Sequence, residues 1–259
     1  MTRLRSTARA AALAALAMTA APHGAHAQEI LHEAAADYRS PQCWALELRF
    51  GPYLPNVDSE FTGPAADRPH RRYFGGKQRI MSQVEVDYQF FRGFGSAAIA
   101  LSAGQFREKA RAFAETSAGA VLDERSSDTT TLTLYPLAVS LVYRLDVTAR
   151  RLNIPLVPYG KIGLGYTIWR VTDGNGVVAR TQPSGRGRGG TPGWHAAAGL
   201  SLELDFLDPG AARELDTGVG VNHTYLFIEG AHYDASGFGR GKTLDVGDTT
   251  WVAGLMFEF

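Results

Sequence analysis

The chain has 259 residues with 26 basic and 26 acidic side chains, so its formal net charge is zero. This balance leaves no basic surplus of the kind that nucleic-acid binding requires. No long apolar run follows residue 28, which excludes a membrane protein built from helices. The single cysteine, Cys43, excludes a disulfide bond within the chain.

The first 27 residues are predicted to be a signal peptide. Arg3, Arg5 and Arg9 form a basic region, and an Ala/Leu-rich stretch of about twelve residues follows them. Ala25-His26-Ala27 fits the small-x-small pattern of a cleavage site. We therefore expect an exported protein that begins near Gln28, with a periplasmic segment over 28–41. Removal of the three arginines leaves 23 basic and 26 acidic residues.

Eight later segments alternate apolar and polar side chains, which predicts strands with one apolar and one polar face. Several run 10 to 15 residues. Strands in soluble proteins usually have about five or six residues, and a tilted membrane-spanning strand needs about 9–11. The lengths favour the membrane. The predicted strands are Gln42–Tyr53, Arg79–Phe91, Gly95–Phe106, Thr129–Leu145, Val157–Val171, Gly193–Phe206, His223–Tyr233 and Thr250–Phe259.

The links between these strands alternate in length, as in outer-membrane barrels. The short or middling links follow strands two, four and six, and one of them predicts a helical turn at Asp208–Leu215. An even strand number closes the sheet and removes edges that lipid would not tolerate. We therefore predict an all-β, closed antiparallel eight-stranded transmembrane β-barrel over residues 42–259. Its long outer loops are Leu54–Gln78, Arg107–Asp128, Thr172–Pro192 and Asp234–Gly247.

The last strand resembles the terminal strand of bacterial outer-membrane barrels. Its apolar row includes Trp251, Leu255, Phe257 and the final aromatic residue Phe259. In that group the terminal aromatic residue is part of the signal that the barrel assembly machinery reads. The resemblance implies location in the bacterial outer membrane, and it implies outer-membrane lipid, lipopolysaccharide and the assembly machinery as partners. We expect a monomer.

Seven segments from about residue 44 onward carry a more specific resemblance: Glu47–Asp58, Leu132–Leu137, Asn153–Tyr166, Trp169–Gly176, Gly193–Gly199, Asp205–Gly210 and Asn222–Phe227. Through them most of the chain resembles an uncharacterised outer-membrane β-barrel family of myxobacterial type. The resemblance implies the fold and the location. It carries no established activity, so no catalytic residue is transferred from it.

The polar faces are predicted to place charged residues in the lumen. An eight-stranded barrel is just wide enough for side chains to fill, and charges removed from water need partners. The interpretation is therefore a mostly plugged lumen inside a structural or surface-binding scaffold. Seven acids against three bases leave a narrow channel for small solutes or cations open as an alternative. The residues are Glu47, Arg49, Glu85, Asp87, Arg144, Lys161, His195, Glu203, Asp205, Glu229 and Glu258, with His223 nearby.

A lipid A-modifying enzyme is a further alternative, because such enzymes use serine, histidine and acidic residues on barrels. Ser201 and Glu203 share a face with His195, but His195 and Ser201 lie about 20 Å apart along one strand. That separation is too long for a nucleophile and its base. Pairing across strands, such as His195 with Glu229, stays open. We predict no enzyme activity, no catalytic residue, no cofactor and no metal.

The glycine-rich stretch Ser184–Gly190 lacks the ending and context of a phosphate-binding loop. We interpret it as part of a mobile outer loop whose arginines, Arg180, Arg186 and Arg188, meet anionic lipopolysaccharide. Asp173–Gly176 lacks a full calcium-ligand series and predicts a turn. Two alternatives remain: a soluble lipocalin-like barrel with its apolar residues inside, and an adhesion or display scaffold whose loops bind partners.

Overall fold

The computed structural model describes residues 43–61, 68–115, 121–181, 185–239 and 243–259. The predicted signal peptide over 1–27 and the periplasmic segment over 28–41 lie outside these residues, so both remain predictions. Among the described helices, none is long and apolar enough to cross a membrane.

Eight long antiparallel strands of the described chain form one closed hydrogen-bonded ring. Each strand pairs with the next along the sequence, and the pairing of β1 with β8 from Ala45–Glu258 to Phe50–Ala253 closes the ring. The prediction of a closed, antiparallel, eight-stranded all-β barrel is confirmed. The strands are β1 (Trp44–Tyr53), β2 (Arg79–Arg92), β3 (Ser96–Glu115), β4 (Val121–Arg144), β5 (Leu156–Thr172), β6 (Arg188–Glu203), β7 (His223–Asp234) and β8 (Asp248–Glu258).

The period-2 pattern sorts the side chains by polarity, with apolar residues outside and polar residues inside. On β2, Ile80 and Tyr88 are exposed, whereas the intervening Glu85 and Asp87 are buried. Leu164 on β5 is 67% exposed although it is fully apolar. A soluble barrel would bury such residues. The faces are therefore the reverse of those expected for the lipocalin-like alternative.

The barrel has two distinct ends. We call the rim that holds Trp44 and Glu258 the lower end, and the rim that holds Tyr53 and Asp248 the upper end. At the lower end the Cys43 amide donates to the Phe259 carbonyl at 2.9 Å. The links after β1, β3, β5 and β7 lie at the upper end, and those after β2, β4 and β6 lie at the lower end, as the antiparallel order of the strands requires. The lower link over 204–222 is longer than the upper link over 235–247.

The predicted outer loop Arg107–Asp128 is wrong for most of its length. β3 continues to Glu115 and β4 already begins at Val121, so the two strands form a hairpin that extends beyond their neighbours. The pairing continues regularly from Arg107 opposite Thr133 to Arg111 opposite Thr129 and then becomes irregular. Because two strands satisfy each other's backbone groups on one side, a hairpin can extend where the rest of the ring has ended.

The second correction concerns the predicted mobile loop around Ser184–Gly190. β6 begins at Arg188 rather than Gly193, and Arg180–Thr181 pairs with Gly185–Arg186 in a two-stranded ribbon. Added β-carbons at Gly189 and Gly190 would collide with the Trp169 and Tyr166 rings. These glycines therefore admit aromatic rings that lie over the backbone of a strand.

In the described part of the chain three short α-helices connect the strands: α1 (Pro69–Phe74) at the upper end, and α2 (Val147–Leu152) and α3 (Pro209–Val219) at the lower end. A single turn of 3-10 helix covers Val57–Glu60 in the first upper link. The sequence predicted only one helical turn in the region of α3. The Asp208 side chain accepts hydrogen bonds from two backbone amides at the start of α3, and Gly220 ends it with a φ of 76°. These caps sustain a helix of 11 residues.

Candidate functional site

A layer of buried charges fills the middle of the barrel. The register of β1 and β2 sets Glu47 directly opposite Glu85, an arrangement that is destabilising without a cation. Lys161 on β5 supplies one, because its Nζ lies 3.0 Å from Glu47 Oε2 and 2.6 Å from Glu85 Oε1. Strands that are distant in sequence therefore neutralise a like-charge pair that two neighbouring strands create.

Two arginines complete this central charged layer. Arg49 donates to Glu47 Oε2 at 2.7 Å and also to Glu229. Arg144 donates to Glu47 Oε1 at 2.8 Å and also to Asp87. Each charged residue of the layer is almost completely buried. The structure thus brings together seven of the predicted lumen residues: Glu47, Arg49, Glu85, Asp87, Arg144, Lys161 and Glu229.

The carboxylates of this layer also form the geometry of a possible cation site. One oxygen from each of Glu47, Glu85 and Asp87 lies within 4.8 Å of the others. Lys161 and Arg144 already provide positive charge to them at hydrogen-bonding distance. The chain's own ammonium and guanidinium groups therefore do what a metal ion would do there.

The remaining predicted acids lie below this layer. Glu258 accepts hydrogen bonds from Gln89 Nε2 at 2.7 Å and Tyr225 Oη at 3.2 Å. At the lower end His223 Nδ1 lies 2.6 Å from Asp205 Oδ2 and 3.5 Å from Glu203 Oε1. Asp205 lies just beyond β6 rather than within it. The predicted lumen set is therefore divided between the middle of the barrel and its lower rim.

His195 lies apart from the ion pairs. Its Nε2 is 2.7 Å from Ser140 Oγ, and its ring stacks on Tyr233 with centroids 5.8 Å apart. An added β-carbon at Gly163 would lie 2.7 Å from that Oγ and 2.8 Å from that Nε2, so the pair depends on glycine there. Both side chains are buried, at 4% and 3% exposure. A serine–histidine pair enclosed in this way offers no open face to a substrate, and the expectation of no enzyme activity stays a prediction.

An apolar layer closes the barrel above the charges. Phe106 and Tyr53 pack with their ring centroids 5.2 Å apart, and Val57 enters this layer from the first upper link. The sequence does not predict this layer, because its residues come from separated segments of the chain. Its buried members are Tyr53, Val57, Met81, Phe106, Leu132, Leu134, Ala235 and Val246.

A polar triad above the apolar layer, in which His70 and Glu108 are buried and Arg79 is exposed, was also missed. His70 on α1 lies with its Nε2 3.2 Å from Glu108 Oε2, and Arg79 Nε lies 3.4 Å from the other oxygen. The sequence predicts a loop at Glu108. Glu108 follows Phe106 by two residues, so on a continued strand both side chains point inward, and this alternation is the signal that could have identified it.

The upper end also contains a cleft of about 800 Å³ between the first and last upper links. Its carboxylates hold these links in place. Asp58 accepts the His70 and Arg71 amides at 2.8 and 2.9 Å, and Asp245 accepts Asn56 Nδ2 at 2.9 Å. Asp248 accepts the Leu54 amide at 2.9 Å. The acidic groups of this cleft are therefore occupied by the protein itself.

A second cleft at the upper end, of about 360 Å³, is lined by four arginines. Arg170 on β5 lies opposite Arg188 on β6, and Arg180 lies opposite Arg186 in the ribbon. All four are exposed. The structure therefore brings the three predicted outer arginines together, but it places them in strands and not in the predicted loop. The sequence predicts Arg170 only as a strand residue, because its place in this cleft depends on the pairing of β5 with β6.

The predicted assembly residues lie on the outer face of β8. Trp251 and Leu255 are exposed, and Phe257 and Phe259 are half-buried. Recognition by the assembly machinery stays a prediction.

Comparisons with known proteins find solved outer-membrane proteins that are similar to this chain at low sequence identity. No family model and no curated protein matches the chain, so the resemblance to a myxobacterial-type family stays a prediction. Neisserial surface protein A is 12% identical and matches 85% of this chain and 98% of its own, with a TM-score of 0.44. Outer membrane protein OprG from Pseudomonas aeruginosa is 14% identical over 85% of this chain and 97% of its own, with a TM-score of 0.43. Ail, the attachment invasion locus protein of Yersinia pestis, was solved in complex with the heparin analogue sucrose octasulfate. It is 12% identical over 84% of this chain and 97% of its own, with a TM-score of 0.38.

Proposed function

We propose that this chain is an integral outer-membrane barrel whose plugged lumen makes it a scaffold for surface binding rather than a channel. The observation that carries this proposal is the packing of buried side chains at two levels of the interior. The central charged layer fills the middle, and the apolar layer that includes Phe106 and Val246 fills the space above it.

The outer surface supports the location. Large apolar side chains that are exposed occur on every strand, for example Leu101 on β3, Ile162 on β5 and Ile228 on β7. A contiguous apolar surface of this kind is costly in water and matches the apolar band of a membrane barrel. The upper end, with the longest link over 54–78 and the extended hairpin of β3 and β4, then lies outside the cell, and the lower end lies in the periplasm.

The interior argues against transport. A solute would have to separate Lys161 from Glu47 and Glu85, and removing one partner of a buried ion pair costs about 3–5 kcal/mol. It would also have to displace the packed rings of Tyr53 and Phe106. Binding at the upper end requires neither step, so it is the function that the barrel supports best.

Cell fractionation tests the location. The protein is expected in the outer-membrane fraction, and the unboiled band is expected to migrate differently from the boiled band. A soluble protein, or one whose migration does not change on boiling, would contradict the proposal.

Conductance in planar bilayers tests the plug. We expect no discrete openings from protein whose folding the unboiled gel has verified. The matched variant Phe106→Ala removes a large ring from the apolar layer but leaves the charged layer intact, so it is expected to be silent as well. Discrete openings of the unmodified protein would show a continuous path and would support the narrow-channel alternative.

A further inference from the structure

The arginine cleft, defined by Arg170, Arg180, Arg186 and Arg188, differs from the central charged layer of the barrel. Among the described residues, none of the four forms an ion pair with a carboxylate, and one hydrogen bond joins Arg170 to the Gly176 carbonyl at 3.2 Å. Some arginines elsewhere at the two ends have acidic partners, such as Arg79 with Glu108 and Arg150 with Asp146. The cleft therefore presents positive charge that the described protein does not neutralise.

The register makes this concentration of charge costly. Residues directly opposite each other in antiparallel strands have Cα atoms about 4.5–5.5 Å apart. Arg170 and Arg188 are such a pair, and Arg180 and Arg186 are another. Like charges in this arrangement repel each other and destabilise the pairing. A bound anion would remove this repulsion. Arginines spread apart on a solvated face would not repel each other in this way and would need no anion.

The height of the cleft on the barrel indicates where the anion comes from. Arg170 has the same outward parity as Tyr166 and Ile168, which are exposed members of the apolar band. It follows Ile168 by one outward step, so the cleft begins where the apolar surface ends. In a membrane that boundary is the level of the lipid headgroups. Val177 and Val178 line the same cleft and provide apolar contact beside the charges.

We infer that the arginine cleft binds the phosphate groups of an outer-leaflet glycolipid headgroup. The inference rests on the proposed function, because the barrel must lie in the membrane with its upper end outside. A guanidinium group binds phosphate through two parallel hydrogen bonds. Four of them suit a headgroup that carries more than one phosphate, and the outward direction of Arg170 and Arg188 favours a ligand approaching from the lipid.

Binding to purified protein in detergent micelles tests the inference with three probes: intact lipopolysaccharide, the same material after enzymatic removal of its phosphates, and inorganic tripolyphosphate. Intact lipopolysaccharide is expected to bind at least about tenfold more tightly than the dephosphorylated form, because charge-assisted hydrogen bonds are lost with each phosphate. Tripolyphosphate is expected to bind more weakly than the intact lipid. Equal binding of the first two probes would overturn the inference, and so would a preference for free tripolyphosphate.

Two double variants assign the site. Arg170→Gln with Arg188→Gln, and Arg180→Gln with Arg186→Gln, are each expected to weaken binding of intact lipopolysaccharide by about tenfold or more. The matched control is Arg68→Gln with Arg71→Gln, which removes two charges from the other upper cleft and is expected to leave binding unchanged. Equal losses in all three variants would indicate a general charge effect and would overturn the site.

Failure of this inference and failure of the proposed function are distinguishable. Fractionation and the unboiled gel test the barrel, and each variant is checked on the same gel before its binding is measured. A correctly located barrel that binds both lipid forms equally would contradict the arginine cleft alone.

Discussion

The central charged layer and the arginine cleft both contain arginines carried by the barrel strands or their upper extensions, but only the first is neutralised by the protein. Arg49 points into the lumen, where Glu229 reaches it from a strand 180 residues away in sequence. Arg170 points outward, where its ladder neighbour is another arginine, Arg188. The difference is a consequence of curvature. A closed ring brings inward side chains toward one another and spreads outward ones apart.

This contrast separates two ways in which a charge on a strand is satisfied. An inward charge meets side chains from strands across the barrel, as Lys161 meets Glu47 over 114 residues of sequence. An outward charge meets only the adjacent strands and the surroundings. Inward charges therefore stabilise the fold, and outward charges are available for a ligand.

The largest test of this contrast is removal of an inward cation. Lys161→Met leaves Glu47 and Glu85 facing each other without their ammonium partner, and the free energy of unfolding is expected to fall by about 3–5 kcal/mol. Urea unfolding in detergent, followed by tryptophan fluorescence, measures it. The matched outward variant Arg170→Met is expected to change the same quantity by less than about 0.5 kcal/mol. Similar losses in both variants would show that inward and outward charges do not differ.

Two glycines on β5, Gly163 and Gly160, allow inward and outward positions to be compared without a change of charge. A β-carbon at Gly163 would point inward and collide with the Ser140 and His195 side chains, so Gly163→Ala is expected to cost about 1–3 kcal/mol. Gly160→Ala on the same strand points outward, and its nearest neighbour is the Ala197 carbonyl oxygen at 3.8 Å. It is expected to be close to neutral in the same unfolding measurement. A reversed order of the two variants would refute the assigned faces of β5.

The smallest expected effect concerns an upper arginine that does have partners. Arg125 on β4 donates to the carbonyl oxygens of Arg111 and Arg72 at 2.7 Å and stacks on Phe113 with its Cζ 3.9 Å from the ring centroid. It thereby joins the extended hairpin to α1. Arg125→Gln is expected to leave global stability within about 0.5 kcal/mol but to open the hairpin locally.

Limited proteolysis measures this local opening. Cleavage in the extended hairpin is expected to become several-fold faster in Arg125→Gln, since a locally opened segment is the substrate for a protease. Arg150→Gln on α2 loses an ion pair with Asp146 at the lower end and serves as the control. An unchanged cleavage rate in the hairpin would show that Arg125 is not what holds it.

Much of the fold followed from local pattern. The alternation around Glu85 and Asp87 predicted both a strand and the polarity of its two faces, and the structure has both. The pattern predicted wrongly where strand pairing, and not side-chain alternation, holds the backbone. The sequence predicts a loop after Phe106, whereas hydrogen bonding to β4 continues the strand there. Gly189 and Gly190 were read as loop residues because glycine usually marks one, whereas here aromatic rings cover them.

The candidate sites were predicted less completely. The sequence identified the inward charges individually, since parity alone assigns a face, but it could not pair them. His195 meets Ser140 rather than Ser201 or Glu229, because β4 and β6 both flank β5 and approach each other at Gly163. Arg170 was overlooked for the same reason, since its membership in the arginine cleft depends on the register of β5 with β6.

The sequence by itself determined the class of this protein: strands of a given length, with apolar residues on one side and charges on the other. That information is local, because side chains two residues apart share a face whatever the rest of the chain does. Closure and register decided which charges meet, so only the tertiary structure distinguishes the neutralised carboxylates around Lys161 from the exposed arginines beside Arg170. Partners separated by more than a hundred residues, such as Lys161 and Glu47, leave no trace in any single segment.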